Sequence, residues 1–137
     1  MATDLASLTQ TRPAAPGTTP SSMTADAFLG GKLKILQPEK GYRAGIDAVF
    51  LGACIPIKDG DTVFEVGIGA GVASLCLLAR NSNILVTGIE SNTRYAILWE
   101  QNAKRNNFSD SVRIIHADVK DAMRRDLADM PAHGSFA

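Results

Sequence analysis

No apolar run in this 137-residue chain approaches the roughly 20 residues that a membrane span requires, so no membrane partner is expected. Cysteine is scarce: Cys54 and Cys76 are far from a Cys-x-x-Cys spacing, which argues against a thiol metal or redox motif. Each sits in an apolar stretch and is expected to be a buried structural thiol in a reducing compartment. The two histidines, His116 and His133, have no partners at ligand spacing, so no metal is expected. An excess of one charge is also missing. With 14 basic and 14 acidic residues the net charge is zero, which excludes a nucleic-acid module working by bulk charge alone. A local excess remains, where Lys32, Lys34, Lys40 and Arg43 stand against only Glu39. A solvated hairpin face or a phosphate-contacting patch would each explain it. The start carries no basic segment followed by an apolar one, and holds an aspartate with a single arginine. Neither a secretory leader nor a transit peptide is expected there, and a cytoplasmic location is.

Against these absences stands a hydrophobic content of 45%, enough for one globular domain. Residues 1–23 are rich in Ala, Thr, Ser and Pro without apolar periodicity, and are expected to form a disordered tail ahead of a domain over 24–137. Gly30-Gly31 reads as a hairpin turn, followed by the alternating strand Lys32-Leu33-Lys34-Ile35-Leu36. From Ile46 the spacing is helical, with Val49, Phe50, Ala53 and Cys54 on the expected core face and Pro56 beyond the end. Short apolar strands are expected at 62–66, 84–89 and 112–115. Helices are expected from Gly71, from Asn92 as a cap, and from Val119 to near Met130. A helix followed by βαβαβα argues for a parallel sheet with right-handed crossovers. The strand at 84–89 shows no alternation, as befits one covered on both faces.

Three groups of residues fall at the carboxyl ends of these strands, where open α/β sheets bind ligands. The first is Glu65-x-Gly67-x-Gly69-x-Gly71, whose glycines permit positive φ and close approach of a ligand. It departs from the dinucleotide fingerprint, because Val72 stands where that pattern needs its third glycine. Glu65 would repel a pyrophosphate but suits an ammonium. S-adenosylmethionine, with an amino-acid head group and no phosphate, fits this turn better than a nicotinamide cofactor. The second is Glu90, roughly 20 residues past the turn, where a carboxylate can accept both ribose hydroxyls or serve as a helix N-terminal charge. The third is Ala117-Asp118-Val119. Asp118 can accept from an adenine amine between two apolar contacts, or cap the next helix. His116 is taken as a strand-end residue.

Together these runs resemble motifs of class I S-adenosylmethionine-dependent methyltransferases. Gln37-Pro38, Tyr42-Arg43-Ala44-Gly45-Ile46-Asp47-Ala48-Val49 and Leu51-Gly52-Ala53 narrow the resemblance to the small-domain group that includes the bacterial valine-tRNA adenine-N6 enzymes. The likeness covers residues 24–120. It implies a Rossmann-like fold with Glu65 near the methionine ammonium and Gly67, Gly69 and Gly71 under the cofactor. It also implies Glu90 on the ribose and Asp118 on the adenine. Arg43, Gly45 and Asp47 would lie in a segment covering the cofactor, and the substrate would be tRNA or another RNA.

Members of that group carry Asn-Pro-Pro-Tyr or Asn-Pro-Pro-Phe after a fourth strand, where it holds the target amine. No such tetrapeptide occurs here. The expected architecture is therefore an incomplete parallel sheet, the first three strands with their helices, preceded by a short hairpin and helix. One edge of the first parallel strand would be open, and the last dozen or so residues have no expected place. The expected chain binds the cofactor without catalysing transfer by itself. A non-catalytic binding or interaction fragment is the alternative.

Overall fold

The computed structural model describes residues 22–124 and 135–136. It opens with an antiparallel hairpin, β1 (Met23–Phe28) and β2 (Leu33–Pro38), paired from Met23 opposite Pro38 to Phe28 opposite Leu33. The order then runs α1 (Ile46–Cys54), β3 (Thr62–Val66), α2 (Val72–Arg80), β4 (Leu85–Glu90), α3 (Thr93–Arg105), β5 (Val112–His116) and α4 (Val119–Arg124). β1 starts one residue ahead of the expected domain boundary, and residues 1–21 of the expected tail lie outside the described residues.

β3, β4 and β5 form the expected parallel sheet, with β4 between the other two. Four successive residues of β4, Val86 to Ile89, are buried, so the missing alternation does mark a strand covered on both faces. The expected open edge is partly occupied. A two-residue strand, β6 (Ser135–Phe136), pairs in parallel with Val63 and Phe64. The sheet order is thus β5-β4-β3-β6. Two residues are too few for a strand periodicity to show in sequence. The stretch expected to carry the last helix on to Met130 lies outside the described residues after Arg124.

α3 has its expected cap, the Asn92 side chain accepting from the Arg94 N–H at 3.0 Å. Its core face is Ala96, Trp99 and Ala103, as expected, and Trp99 is fully buried. Two asparagines four residues apart, Asn102 in α3 and Asn106 at its C-terminal cap, attach the hairpin. The Asn102 amide takes the Leu36 N–H at 2.7 Å and donates to the Leu36 carbonyl at 3.0 Å. Asn106 repeats the exchange with Lys34 at 2.9 and 3.0 Å. Side chains spaced four apart on a helix thereby pair with main-chain groups spaced two apart on a strand, standing in for a neighbouring strand.

The face of α1 differs from expectation. Its buried residues are Ala48 and Gly52, while Phe50 is 61% and Ile46 68% exposed. α2 lies so close that a Cβ on Gly52 would sit 2.8 Å from the Cys76 Cβ, so small residues take the contact. Val49 packs partly buried against the core as expected, while Ile46, Phe50 and Leu51 are turned outward. Cys54 turns outward with them and is exposed, contrary to expectation. Cys76 is buried, and its burial pushes the thiol pKa up. From α2, Arg80 closes the end of α1 by donating to the carbonyls of Ala53 and Ile55.

Candidate cofactor site

β3 ends at Val66 and the chain turns over the carboxyl end of β4. The N–H groups of Gly67 and Ile68 both donate to the Ile89 carbonyl, at 2.8 and 3.2 Å. Gly67, Gly69 and Gly71 all take positive φ, at 70°, 58° and 82°. Gly71 then starts α2, its carbonyl accepting from the Leu75 N–H at 2.9 Å. A Cβ at Gly67 would meet nothing within 4 Å, and one at Gly69 only the Gly67 carbonyl at 4.0 Å. The outer face of the turn is therefore bare main chain with open space beside it, a surface that a ligand can approach closely.

Gly71 supplies no side chain to cap α2, and Glu65 takes that role from the end of β3. Its carboxylate accepts the Ser74 hydroxyl, and the Ser74 main-chain N–H also bonds to it. A carboxylate at a helix N-terminus is favoured by the helix dipole. Burial nevertheless dominates and raises the Glu65 pKa, with the two Ser74 hydrogen bonds opposing it. Such a carboxylate, partly desolvated and aimed into a cleft, suits a cation more than a phosphate.

The cleft holds about 110 Å³ and lies between the glycine turn, α1 and the end of β2. Asp47, Glu65, Gly67 and Gly71 line it, with Gln37 and Tyr42 on its hairpin side. Asp47 is exposed and accepts from the Gly45 N–H at 3.1 Å.

Gly69 and Glu90 do not line the cleft but are joined to each other. Glu90 accepts the Gly69 N–H at 2.9 Å through one carboxylate oxygen and the Asn92 N–H at 2.8 Å through the other. Each oxygen keeps a second lone pair for a ligand hydroxyl. Ala117, Asp118 and Val119 stand one strand further along, where the Ala117 N–H donates to the Glu90 carbonyl at 3.1 Å. The Asp118 carboxylate is exposed and accepts the Lys120 N–H at 2.8 Å, which is capping geometry for α4.

Arg43 does not cover the cleft. Its guanidinium turns to the hairpin, donating to Thr24 and the Pro38 carbonyl at 2.8 Å and pairing with Asp26 at 2.6 Å. Gln37 completes this group, donating to Asp26 at 2.9 Å and accepting the Ala44 N–H at 2.7 Å. The Gln37 hydrogen bond is the main cause of the lowered Asp26 pKa, followed in the same direction by Thr24 and Arg43. The group fixes the chain between the hairpin and α1 beside the cleft. It also removes Arg43 from the basic cluster read in the sequence. His116 ends β5 as expected, its Nε2 3.1 Å from both the Thr93 hydroxyl and the Ser91 carbonyl.

Sequence reasoning missed Ser74 and Asn102, and gave Gln37 no role beyond its part in the resemblance. Ser74 carried a usable signal, being three residues past a glycine that cannot cap its own helix. Among the described residues no cluster of three or more His, Cys, Asp or Glu is arranged to hold a metal ion, and no helix is long and apolar enough to cross a membrane.

No protein-family model matches the chain. It is similar to curated proteins named tRNA1(Val) (adenine(37)-N6)-methyltransferase. The one from Pedobacter heparinus is 28% identical over 105 residues, which is 77% of this chain and 45% of the relative. The one from Proteus mirabilis is 33% identical over 78 residues, 56% of this chain and 31% of the relative. The chain thus spans less than half the length of these curated relatives. Among solved structures it is similar to TYW2 of P. horikoshii in complex with MeSAdo, with a TM-score of 0.62 at 18% identity over 76% of this chain and 39% of the other. The precorrin-6y C5,15-methyltransferase of Geobacter metallireducens gives a TM-score of 0.57 at 16% identity, covering 71% of this chain and 49% of the other. The chain therefore has the Rossmann-like fold of class I S-adenosylmethionine-dependent methyltransferases and resembles, along part of their length, the tRNA1(Val) (adenine(37)-N6)-methyltransferases.

Proposed function

We propose that this chain is the cofactor-binding part of an S-adenosylmethionine-dependent enzyme that methylates the exocyclic N6 amine of an adenine in tRNA. One observation carries the cofactor reading: a half-buried carboxylate, Glu65, stands beside a glycine turn whose outer face is bare main chain. Val72, where a dinucleotide site needs glycine, is buried in the first turn of α2. When bound, S-adenosylmethionine supplies a methyl group activated on a sulfonium. Glu65 holds the ammonium of its amino-acid part, and the turn at Gly67 and Gly69 gives it room to lie against main chain. Glu90 accepts the ribose hydroxyls on its remaining lone pairs, which fixes the sugar against the turn. Asp118 accepts from the adenine amine while Ala117 and Val119 flank the ring. Asp47 closes the cleft on the α1 side. These residues orient the methyl donor, so their contribution to rate is positioning rather than proton transfer. The names of the relatives support the tRNA substrate, and a cytoplasmic location belongs to the same reading.

Calorimetric titration of the 137-residue chain with S-adenosylhomocysteine tests the cofactor reading. Wild type is expected to bind. Glu65→Gln is expected to lose about 100-fold in affinity, since a buried ammonium then lacks its counter-charge. Undiminished binding by E65Q would remove Glu65 from the site. The same variant has a stability signature. The Glu65 pKa is raised on folding, so the folded state binds the proton more tightly than the unfolded one. Ionised Glu65 therefore costs stability, and the cost appears as pH rises through the raised value. E65Q is expected to melt higher than wild type at neutral pH, and the gain should fade in acid, where both side chains are neutral. Gly67→Ala is expected to fold with a loss of about 1 kcal/mol for its positive φ. Its methyl enters the open space beside the turn, so homocysteine-cofactor affinity should fall while the melting curve stays cooperative.

A further inference from the structure

Ser74 is fully buried in the first turn of α2, and its hydroxyl bonds outside its own helix. A serine side chain in a helix can bond back to the carbonyl four residues earlier. Here that carbonyl, Ala70, accepts the Asn102 amide at 3.0 Å, and the Ser74 hydroxyl crosses to Oε2 of Glu65. The bond joins the first turn of α2 to the end of β3 at the edge of the cleft. We infer that Ser74 is the positioning residue of the cofactor site, holding Glu65 in the one orientation in which its carboxylate meets a ligand ammonium. This rests on the reading of Glu65 given above.

The hydroxyl donates only to a lone pair, so it stabilises the carboxylate over the carboxylic acid and opposes the effect of burial. No cation lines the described cleft to do so in its place. α1 presents Asp47 and the preceding loop presents Tyr42. β4 offers the neutral Gly88 opposite Glu65. α2 adds the buried Cys76, while its Arg80 is spent on the carbonyls at the end of α1. Without Ser74, Glu65 would keep the burial but lose a bond that favours its charged form. The carboxylate would also be free to rotate away from the ligand.

The test is titration of wild type and Ser74→Ala with two ligands, S-adenosylhomocysteine and 5′-methylthioadenosine, from about pH 5 to about pH 8. The second ligand lacks the amino-acid part and so has no ammonium. S74A is expected to lose about tenfold in affinity for S-adenosylhomocysteine at neutral pH, the weight of one charge-assisted hydrogen bond. The acid limb of that affinity profile should move up by about one pH unit. Affinity for 5′-methylthioadenosine should stay at the wild-type value, which also reports that the variant is folded. If S74A and wild type give the same S-adenosylhomocysteine profile, the positioning role is overturned while the cofactor reading stands. Equal losses for both ligands make Ser74 a structural residue only and likewise overturn it. If wild type binds neither ligand, the cofactor reading itself fails and this inference with it.

Discussion

Gly71→Ala is expected to leave no cooperatively folded protein. Gly71 sits at φ 82°, and a Cβ there would lie 1.9 Å from Cε3 and 2.3 Å from Cζ3 of Trp99. Any residue with a side chain meets two separate penalties. The left-handed backbone costs about 1–2 kcal/mol for an alanine. Making room for the methyl requires moving the largest fully buried side chain in the described core. The indole packs under the glycine turn and donates through Nε1 to the Arg113 carbonyl at 3.4 Å, so a shift into the cavity of about 160 Å³ on its far side would break that bond and its packing. Overpacking of a rigid core adds about 3 kcal/mol or more. The sum of about 4–5 kcal/mol approaches the whole stability of a small domain. A thermal melt followed by circular dichroism checks this, and a cooperative transition near the wild-type midpoint would show the contact to be soft. Gly71 and Gly67 are thus expected to behave oppositely although both belong to one motif. The first glycine borders open space, which the proposed cofactor would use, and the last keeps space for the protein's own tryptophan.

That contrast shows where the sequence was informative. A glycine-rich turn after a short apolar strand is a local pattern, and so are the Asn92 cap and the unalternating β4; each was legible because its cause lies within a few residues. The α1 face was not. Its apolar spacing pointed to Val49, Phe50, Ala53 and Cys54; of these Val49 alone packs against the core, and the close approach of α2 selected Ala48 and Gly52 for the buried contact. Residue size at a helix crossing depends on a partner about 25 positions away, which periodicity does not register. Arg43 was legible as a charge but not as the partner of Asp26, because the hairpin register decides that contact. The three candidate groups were correctly placed at successive strand ends. Geometry alone reveals that Glu65 doubles as the cap of α2 and that Glu90 clasps the Gly69 N–H. On the proposed reading, site and scaffold share these side chains, and stability and ligand affinity are expected to be coupled here.

Asn102→Ala should have the second large effect, and it acts through the same coupling. Asn102 is fully buried and serves three main-chain groups: the N–H and carbonyl of Leu36 and the carbonyl of Ala70. One amide therefore ties the hairpin to the glycine turn. Truncation leaves all three groups without their partner, at about 1–3 kcal/mol each when no replacement is found. A water in the vacated space can recover part of this, so a net loss of about 3–4 kcal/mol is expected. Asn106→Ala is the internal comparison. Its bonds to Lys34 are of the same kind, but they lie at an exposed edge where solvent can replace them, and about 1 kcal/mol is expected. Urea unfolding of both variants measures the difference, and equal losses would show that burial does not set the cost. Amide exchange distinguishes the mechanism further. In N102A the Leu36 N–H should lose its protection, and added S-adenosylhomocysteine should restore less of it than in wild type, because the link from the turn to the hairpin has been cut.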